Sequence, residues 1–165
     1  MSVEMRFCPR CATGLTDKLE EGRTRRACPK DGCGFIHYGN PLPVVAAIVE
    51  HEGAVVLVRA HGWPEKLFGL VTGFLEAGET PEQGVLREVK EELDLEGDVV
   101  SLVGAYSFEM RNELIVAFHV RARGELKLGA ELAGFKKIAP EKLRPWDFGT
   151  GLAVRDWLAR RPSGS

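Results

Sequence analysis

The sequence holds no apolar stretch long enough to cross a bilayer. Its longest apolar run, Val44–Val49, falls far short of the roughly 20 residues that a spanning helix needs. Residues Met1 to Arg10 have no apolar core of the kind that marks a secretory signal. A membrane partner is therefore not expected, and the cytoplasm is the expected location. There the four cysteines should be thiols or thiolates, not disulfides. A G-x4-G-K-[ST] phosphate loop is missing, as is any Ser/His/Asp arrangement for covalent catalysis. His37, His51, His61 and His119 show no ligand spacing and read as structural or surface residues. Excess charge of one sign is also absent. A net charge of -2 gives no general attraction to nucleic acid or anionic membrane.

What is present fits one core-bearing domain with a small appendage, in 165 residues. Hydrophobic residues at 44% and charged residues at 28% are an ordinary balance for a soluble protein. Residues 1–40 hold all four cysteines and few large apolar side chains, so they need a staple to fold. Asn40-Pro41-Leu42-Pro43 reads as an extended connector, because a residue before proline is pushed away from helix. The division expected is 1–40 and 41–165.

From Pro43 onward the pattern is α/β. Val44–Val49 and Ala54–Val58 read as strands joined at His51-Glu52-Gly53. Gly69–Gly73 reads as a short strand. Thr80–Leu93 reads as a helix, with Thr80 as N-cap, Pro81 in the first position and Gln83 completing a capping box. Val85, Leu86, Val89 and Leu93 form its apolar stripe. Val99–Met110 and Leu114–Arg121 read as strands with a turn at Asn112-Glu113. A last strand is expected at residues 135–138, a helical turn at Pro140–Leu143 and a helix at Leu152–Leu158. No internal repeat or low-complexity tract is visible, and Arg161–Ser165 is expected to fray.

Residues 73–95 carry seven Asp/Glu against two Lys/Arg. Glu88, Glu91 and Glu92 stand at i, i+3 and i+4, which puts them on one helix face. Like charges so placed repel, at roughly 0.2–0.5 kcal/mol per pair. Clustered hard oxygen ligands suit Mg²⁺ or Mn²⁺. A solvated face with an Arg87–Glu91 pair would share the same local string. The wider spacing decides between them: Gly73-x5-Glu79-x7-Arg87-Glu88-Val89-Lys90-Glu91-Glu92-Leu93-Asp94-Leu95. It resembles the Nudix box, G-x5-E-x7-R-E-U-x-E-E-x-G-U with U aliphatic, at every fixed position but one. Asp94 stands where the family has its last glycine. That position ends the helix in a left-handed conformation, which Asp tolerates better than most residues.

The resemblance implies an α/β/α sandwich with a mixed sheet. By matching position it implies Glu88 and Glu92 as principal Mg²⁺ (or Mn²⁺) ligands. Glu91 would be a third ligand or a neighbour of one, with a backbone carbonyl of Thr72 or Gly73 on the loop side. Arg87 would orient a carboxylate and Glu79 would tie the loop to the helix. The implied reaction is hydrolysis of a pyrophosphate bond, carried by positioning and charge neutralisation. Family members often recruit the general base from a later loop. Glu109, Glu113 and Glu131 are candidates, and Glu131, before the last strand, lies most like the family position.

Cys8-x2-Cys11 and Cys28-x4-Cys33 are separated by 16 residues. Four thiolates suit a closed, tetrahedral, structural Zn²⁺ site. The spacing resembles a zinc ribbon, with a second pair wider than the usual two intervening residues. A ribbon ahead of a Nudix domain is similar to NADH pyrophosphatases and to zinc-ribbon Nudix enzymes acting on ADP-ribose or FAD. The S-Q-P-W-P-F-P motif of the NADH pyrophosphatases is absent at Ala105–Arg111, which counts against NADH.

For an adenine ring, Tyr38, Trp63, Phe68, Tyr106 and Phe108 are candidate partners. Arg111 is a candidate for a phosphate or terminal ribose, or an ordinary rim arginine. The leading expectation is a pyrophosphatase for a small nucleotide such as ADP-ribose or FAD, releasing a nucleoside monophosphate. NADH hydrolysis and removal of a nucleotide cap from RNA stay open, although nucleic acid is not the expected partner. A non-catalytic nucleotide sensor is a further alternative, disfavoured by the intact Glu88, Glu91 and Glu92. A homodimer formed through the ribbon is also open.

Overall fold

The computed structural model describes residues 5–161. By its internal contacts the chain forms two compact units. One ends at Pro41 and takes in Met110–Asn112; the other comprises Leu42–Glu109 and the chain from Glu113.

The first unit is a three-stranded antiparallel sheet of β1 (Thr16–Glu20), β2 (Arg23–Ala27) and β3 (Ile36–His37). Sequence periodicity does not announce these strands, because most of their side chains are polar and exposed. The β1–β2 hairpin turns at Glu21-Gly22, both with positive φ (49° and 77°). That matches the twist a two-residue hairpin requires. Arg25 lies 4.6 Å over the Tyr38 ring and donates to the Tyr38 carbonyl.

The second unit is a six-stranded mixed sheet: β4 (Leu42–His51), β5 (Ala54–Ala60), β6 (Val71–Phe74), β7 (Glu96–Phe108), β8 (Glu113–Arg123) and β9 (Leu132–Ile138). Its order is β7-β8-β4-β5-β9, with β6 also paired to β4. β4 and β8 run parallel; the other pairs are antiparallel. β4 is apolar continuously, not alternately, because both sheet faces are covered. Val45, Ala47 and Val49 pack with Val85, Val89 and Leu93 of helix α1 (Pro81–Leu93). Val44, Ala46 and Ile48 pack with Ala153, Val154 and Trp157 of helix α2 (Gly151–Arg160). The result is the expected α/β/α sandwich. Burying each Val or Leu of the α1 stripe stabilises by roughly 1.5–3 kcal/mol.

Several ends differ from the sequence reading. β7 starts at Glu96 and β9 at Leu132, because pairing with β8 and β5 recruits polar and glycine-bearing positions that apolar pattern overlooks. β7 stops at Phe108, since Glu109–Arg111 closes into a 3-10 turn and Asn112 takes φ 52°. Gly69 makes only an isolated bridge to Val58 ahead of β6. Among the described residues no helix is long and apolar enough to cross a membrane. The fraying expected beyond Arg161 falls outside the described residues.

Candidate active site and cysteine centre

Helix α1 begins as its sequence demands. Thr80 is the N-cap, its hydroxyl accepts from the Gln83 amide, and the Gln83 side chain accepts from the Thr80 amide. Such a cap is worth about 1 kcal/mol. At the other end Asp94 takes φ 54° and ψ 24°, the left-handed cap conformation, and its carboxylate meets Lys90 at 2.8 Å.

Arg87 organises the acidic cluster. Its Nε and Nη2 donate to the two oxygens of Glu79 at 3.1 and 2.8 Å, a bidentate pair. Nη2 also donates to the Phe74 carbonyl at 3.0 Å. Nη1 donates to Glu88 Oε1 at 2.6 Å and Glu91 Oε2 at 3.2 Å. One guanidinium thus locks the loop after β6 onto the helix. The Arg87 pair, helped by the Glu76 amide, holds the Glu79 carboxyl below its usual range.

Glu88 and Glu92 point the other way energetically. Burial pushes the Glu92 carboxyl up to about 8, reinforced by Glu88, Glu131 and Glu91. Burial also raises Glu88, against the opposing pull of Arg87. Glu92 Oε2 is buried with no hydrogen-bond partner. An orphaned carboxylate oxygen beside other carboxylates is costly unless a cation joins it. The donor set Glu88 and Glu92 therefore fits a hard divalent ion. Glu91 is largely exposed and paired to Arg87, so it stands apart from the half-buried Glu88 and Glu92.

Gly73 sits opposite Val45 in β6, with Thr72 opposite Ala46. Its Cα faces the Glu88 carboxylate so closely that a Cβ would lie 1.9 Å from Glu88 Cδ. The box glycine is a cradle for a carboxylate. Glu131 is exposed, and its charge adds to the upward push on both Glu88 and Glu92. Glu109 and Glu113 lie instead at the junction of β7 and β8.

Three of the aromatic candidates share one cluster. Phe68, Tyr106 and Phe108 pack against the α2-side cluster, on the sheet face away from α1. Tyr106 donates to Asp156 Oδ2 at 2.9 Å, and Lys136 Nζ lies 4.0 Å over the Phe68 ring. Trp63 packs beside Gly69. Tyr38 and Arg111 belong to the first unit.

In the first unit the four cysteine sulfurs all lie within 4.8 Å of one another. Cys8–Cys33 and Cys11–Cys28 are 3.6 Å apart and Cys11–Cys33 3.7 Å. A tetrahedral ion bonded to sulfur at about 2.3 Å sets sulfur separations of about 3.8 Å. The four are therefore spaced for one metal ion and far too separated for a disulfide. Gly32 and Gly34, with φ of 75° and 66°, make the tight backbone around Cys33. The Thr13 hydroxyl, 3.3 Å from Cys11 Sγ, pulls that thiol down to about 6.

A family model for the NUDIX domain matches residues 40–157. This chain belongs to the Nudix family. As a Nudix protein it is 31% identical over 147 residues to the NAD-capped RNA hydrolase NudC of Vibrio vulnificus, covering 88% of this chain and 55% of that protein. It is 34% identical over 119 residues to the NAD-capped RNA hydrolase NUDT12 of Macaca fascicularis, covering 67% of this chain and 25% of that one. The chain thus spans about half or less of these relatives. A Nudix hydrolase crystal structure from Nitrosomonas europaea matches with a TM-score of 0.79 at 27% identity, covering 95% of this chain and 92% of that one. An ADP-ribose pyrophosphatase from Streptococcus suis shares the fold at a TM-score of 0.61 and 20% identity, covering 76% of this chain and 97% of that one.

Proposed function

We propose that this Nudix protein hydrolyses the pyrophosphate bond of a nucleoside diphosphate linked to a second moiety, of the ADP-ribose or FAD kind. The observation that carries this reading is the buried, partnerless Oε2 of Glu92 beside Glu88. Two raised carboxylates on one half-buried face serve no purpose in stability and a clear one in holding a divalent ion, Mg²⁺ or Mn²⁺. Such an ion, when bound, neutralises diphosphate charge and makes water a better nucleophile. Arg87 keeps Glu88 aimed and ties Glu79 to the helix. Glu131, whose charge acts on both Glu88 and Glu92, is the carboxylate we assign to take a proton from the attacking water. Water adds to one phosphorus, the bridging P–O bond breaks, and a nucleoside monophosphate leaves. The cysteine set Cys8, Cys11, Cys28 and Cys33 would hold Zn²⁺ as a structural ion.

A second reading is supported by sequence likeness to proteins named NAD-capped RNA hydrolases. In it the second moiety is a nicotinamide nucleotide, free or at an RNA end. Purified protein with Mg²⁺, offered ADP-ribose, FAD, NADH, NAD and NAD-capped RNA, separates the two. AMP from ADP-ribose or FAD supports the first. Preferential cleavage of NAD-type substrates supports the second. Absence of turnover with a folded protein, Mn²⁺ also tried, overturns both in favour of a nucleotide sensor.

A further inference from the structure

The loop between β8 and β9, residues 124–131, is stitched to the end of α1 by its own backbone. The Lys127 amide donates to the Leu93 carbonyl at 2.9 Å, and the Gly129 amide to the Glu92 carbonyl at 2.8 Å. These carbonyls belong to the last helical turn, where no intrahelical partner exists. Asp94 caps that turn with a single backbone bond to Lys90, and the loop supplies donors to Glu92 and Leu93.

At position 129 the loop backbone lies tight against the helix backbone. A Cβ there would lie 2.4 Å from the Glu91 carbonyl oxygen, and 3.3 Å from Glu91 C and Glu92 Cα. All three atoms are backbone, and none can swing aside. The backbone at Gly129 does not take a positive φ, so glycine is required there for approach and not for conformation. The Leu132 amide returns to the Gly129 carbonyl at 3.1 Å, and the His61 amide donates to the Glu131 carbonyl at 3.0 Å. The backbone at Glu131 is thereby fixed on both sides, two residues from the clamp.

We infer that Gly129 is a positioning residue, whose close backbone contact with α1 sets Glu131 against Glu88 and Glu92. This rests on the hydrolase reading above. Glu92 and Glu131 come from elements distant in sequence, and the Gly129–Glu92 bond joins them directly. Adding a methyl group at position 129 must lift the loop by about 1 Å to restore ordinary contact. Displacement on that scale at a reacting group costs about 100-fold in rate.

The test is a double-mutant cycle on the full chain with Mg²⁺ and the substrate found in the panel. Gly129→Ala is expected to lower kcat by about 10- to 100-fold with KM nearly unchanged. If Gly129 acts through Glu131, Gly129→Ala in a Glu131→Gln background costs no further rate. Additive losses, or full activity in Gly129→Ala, overturn the proposal while leaving the hydrolase reading intact. Wild-type inactivity across the panel overturns the hydrolase reading itself. Amide exchange in the wild-type protein covers the case in which Gly129→Ala does not fold. Protection of the Lys127 and Gly129 amides to the level of the α1 core is expected, and fast exchange there removes the clamp.

Discussion

Glu88 occupies the space that any side chain at position 73 would need: a Cβ on Gly73 would sit 1.9 Å from both Glu88 Cδ and Oε1. The obstructing group is the far end of a flexible side chain, so the fold can yield while the site cannot. Gly73→Ala is therefore expected to fold with a melting temperature within a few degrees of wild type. Its Mg²⁺-dependent kcat should fall by about 100-fold as Glu88 is displaced. A folded Gly73→Ala enzyme with wild-type kcat would show that the position of Glu88 is immaterial to the reaction.

Glu92 makes the metal-free protein sensitive to pH in a direction that can be worked out. Its carboxyl is raised by burial and by its neighbours to about 8, against roughly 4.3 in an unfolded chain. The folded state then binds a proton that the unfolded state has released. The stabilisation from that proton is fully present below about pH 4 and is lost as pH rises through about 8. At pH 8.5 without Mg²⁺, Glu92→Gln should be more stable than wild type, on the order of 1–3 kcal/mol after allowing for partial exposure. Denaturant titrations at pH 5.5 and 8.5 measure this, and the advantage of the variant should shrink at the lower pH. Added Mg²⁺ should reverse the order at pH 8.5. An advantage that does not change with pH would remove the raised carboxyl from the account.

The box was legible in sequence because its function depends on spacing: Glu79, Arg87, Glu88 and Glu92 meet through helical periodicity and one loop of set length. The helix end was legible too, since Asp94 is a residue that enters the left-handed region readily. Other features carry no local mark. Tyr106 and Phe108 show alternation, which assigns residues to a face but not that face to a helix, and Phe68 lies in a loop with no periodicity to read. They turned out to share the layer of α2. Gly129 is one glycine in a polar loop, and its importance comes from a contact with a helix thirty-odd residues earlier. The ribbon strands are polar and short, held by turns and by the cysteine centre, so apolar pattern had nothing to report.

The cysteine centre predicts a stoichiometry and a failure mode. One Zn²⁺ per chain is expected by elemental analysis of the purified protein. Cysteine thiols bind metal only after losing their protons, so acidification or strong chelation should release it. Cys28 tests this well, since burial and its thiol neighbours push it up to about 12 without an ion. Cys28→Ser should lose the zinc and become cleavable by trypsin within residues 6–30, where Arg23, Arg25 and Arg26 stand in β2. Retention of one zinc with unchanged resistance to trypsin would contradict a four-cysteine site.

Tyr106 separates a packing role from a substrate role. Its hydroxyl donates to Asp156 of α2 at 2.9 Å, and burial, with the Asp156 carboxylate, pushes the phenol up to about 12. If that bond only fastens α2 to the sheet, Tyr106→Phe should cost about 0.5–1.5 kcal/mol of stability, as for one hydrogen bond. KM and kcat should then be unchanged within twofold, because the ring itself remains. An adenine stacked on this ring would also survive the loss of the hydroxyl, so Tyr106→Ala is the companion variant. Stacking would raise KM strongly in Tyr106→Ala for adenine substrates. A packing role predicts instead a loss of about 3–5 kcal/mol in stability, with KM near wild type in whatever fraction remains folded.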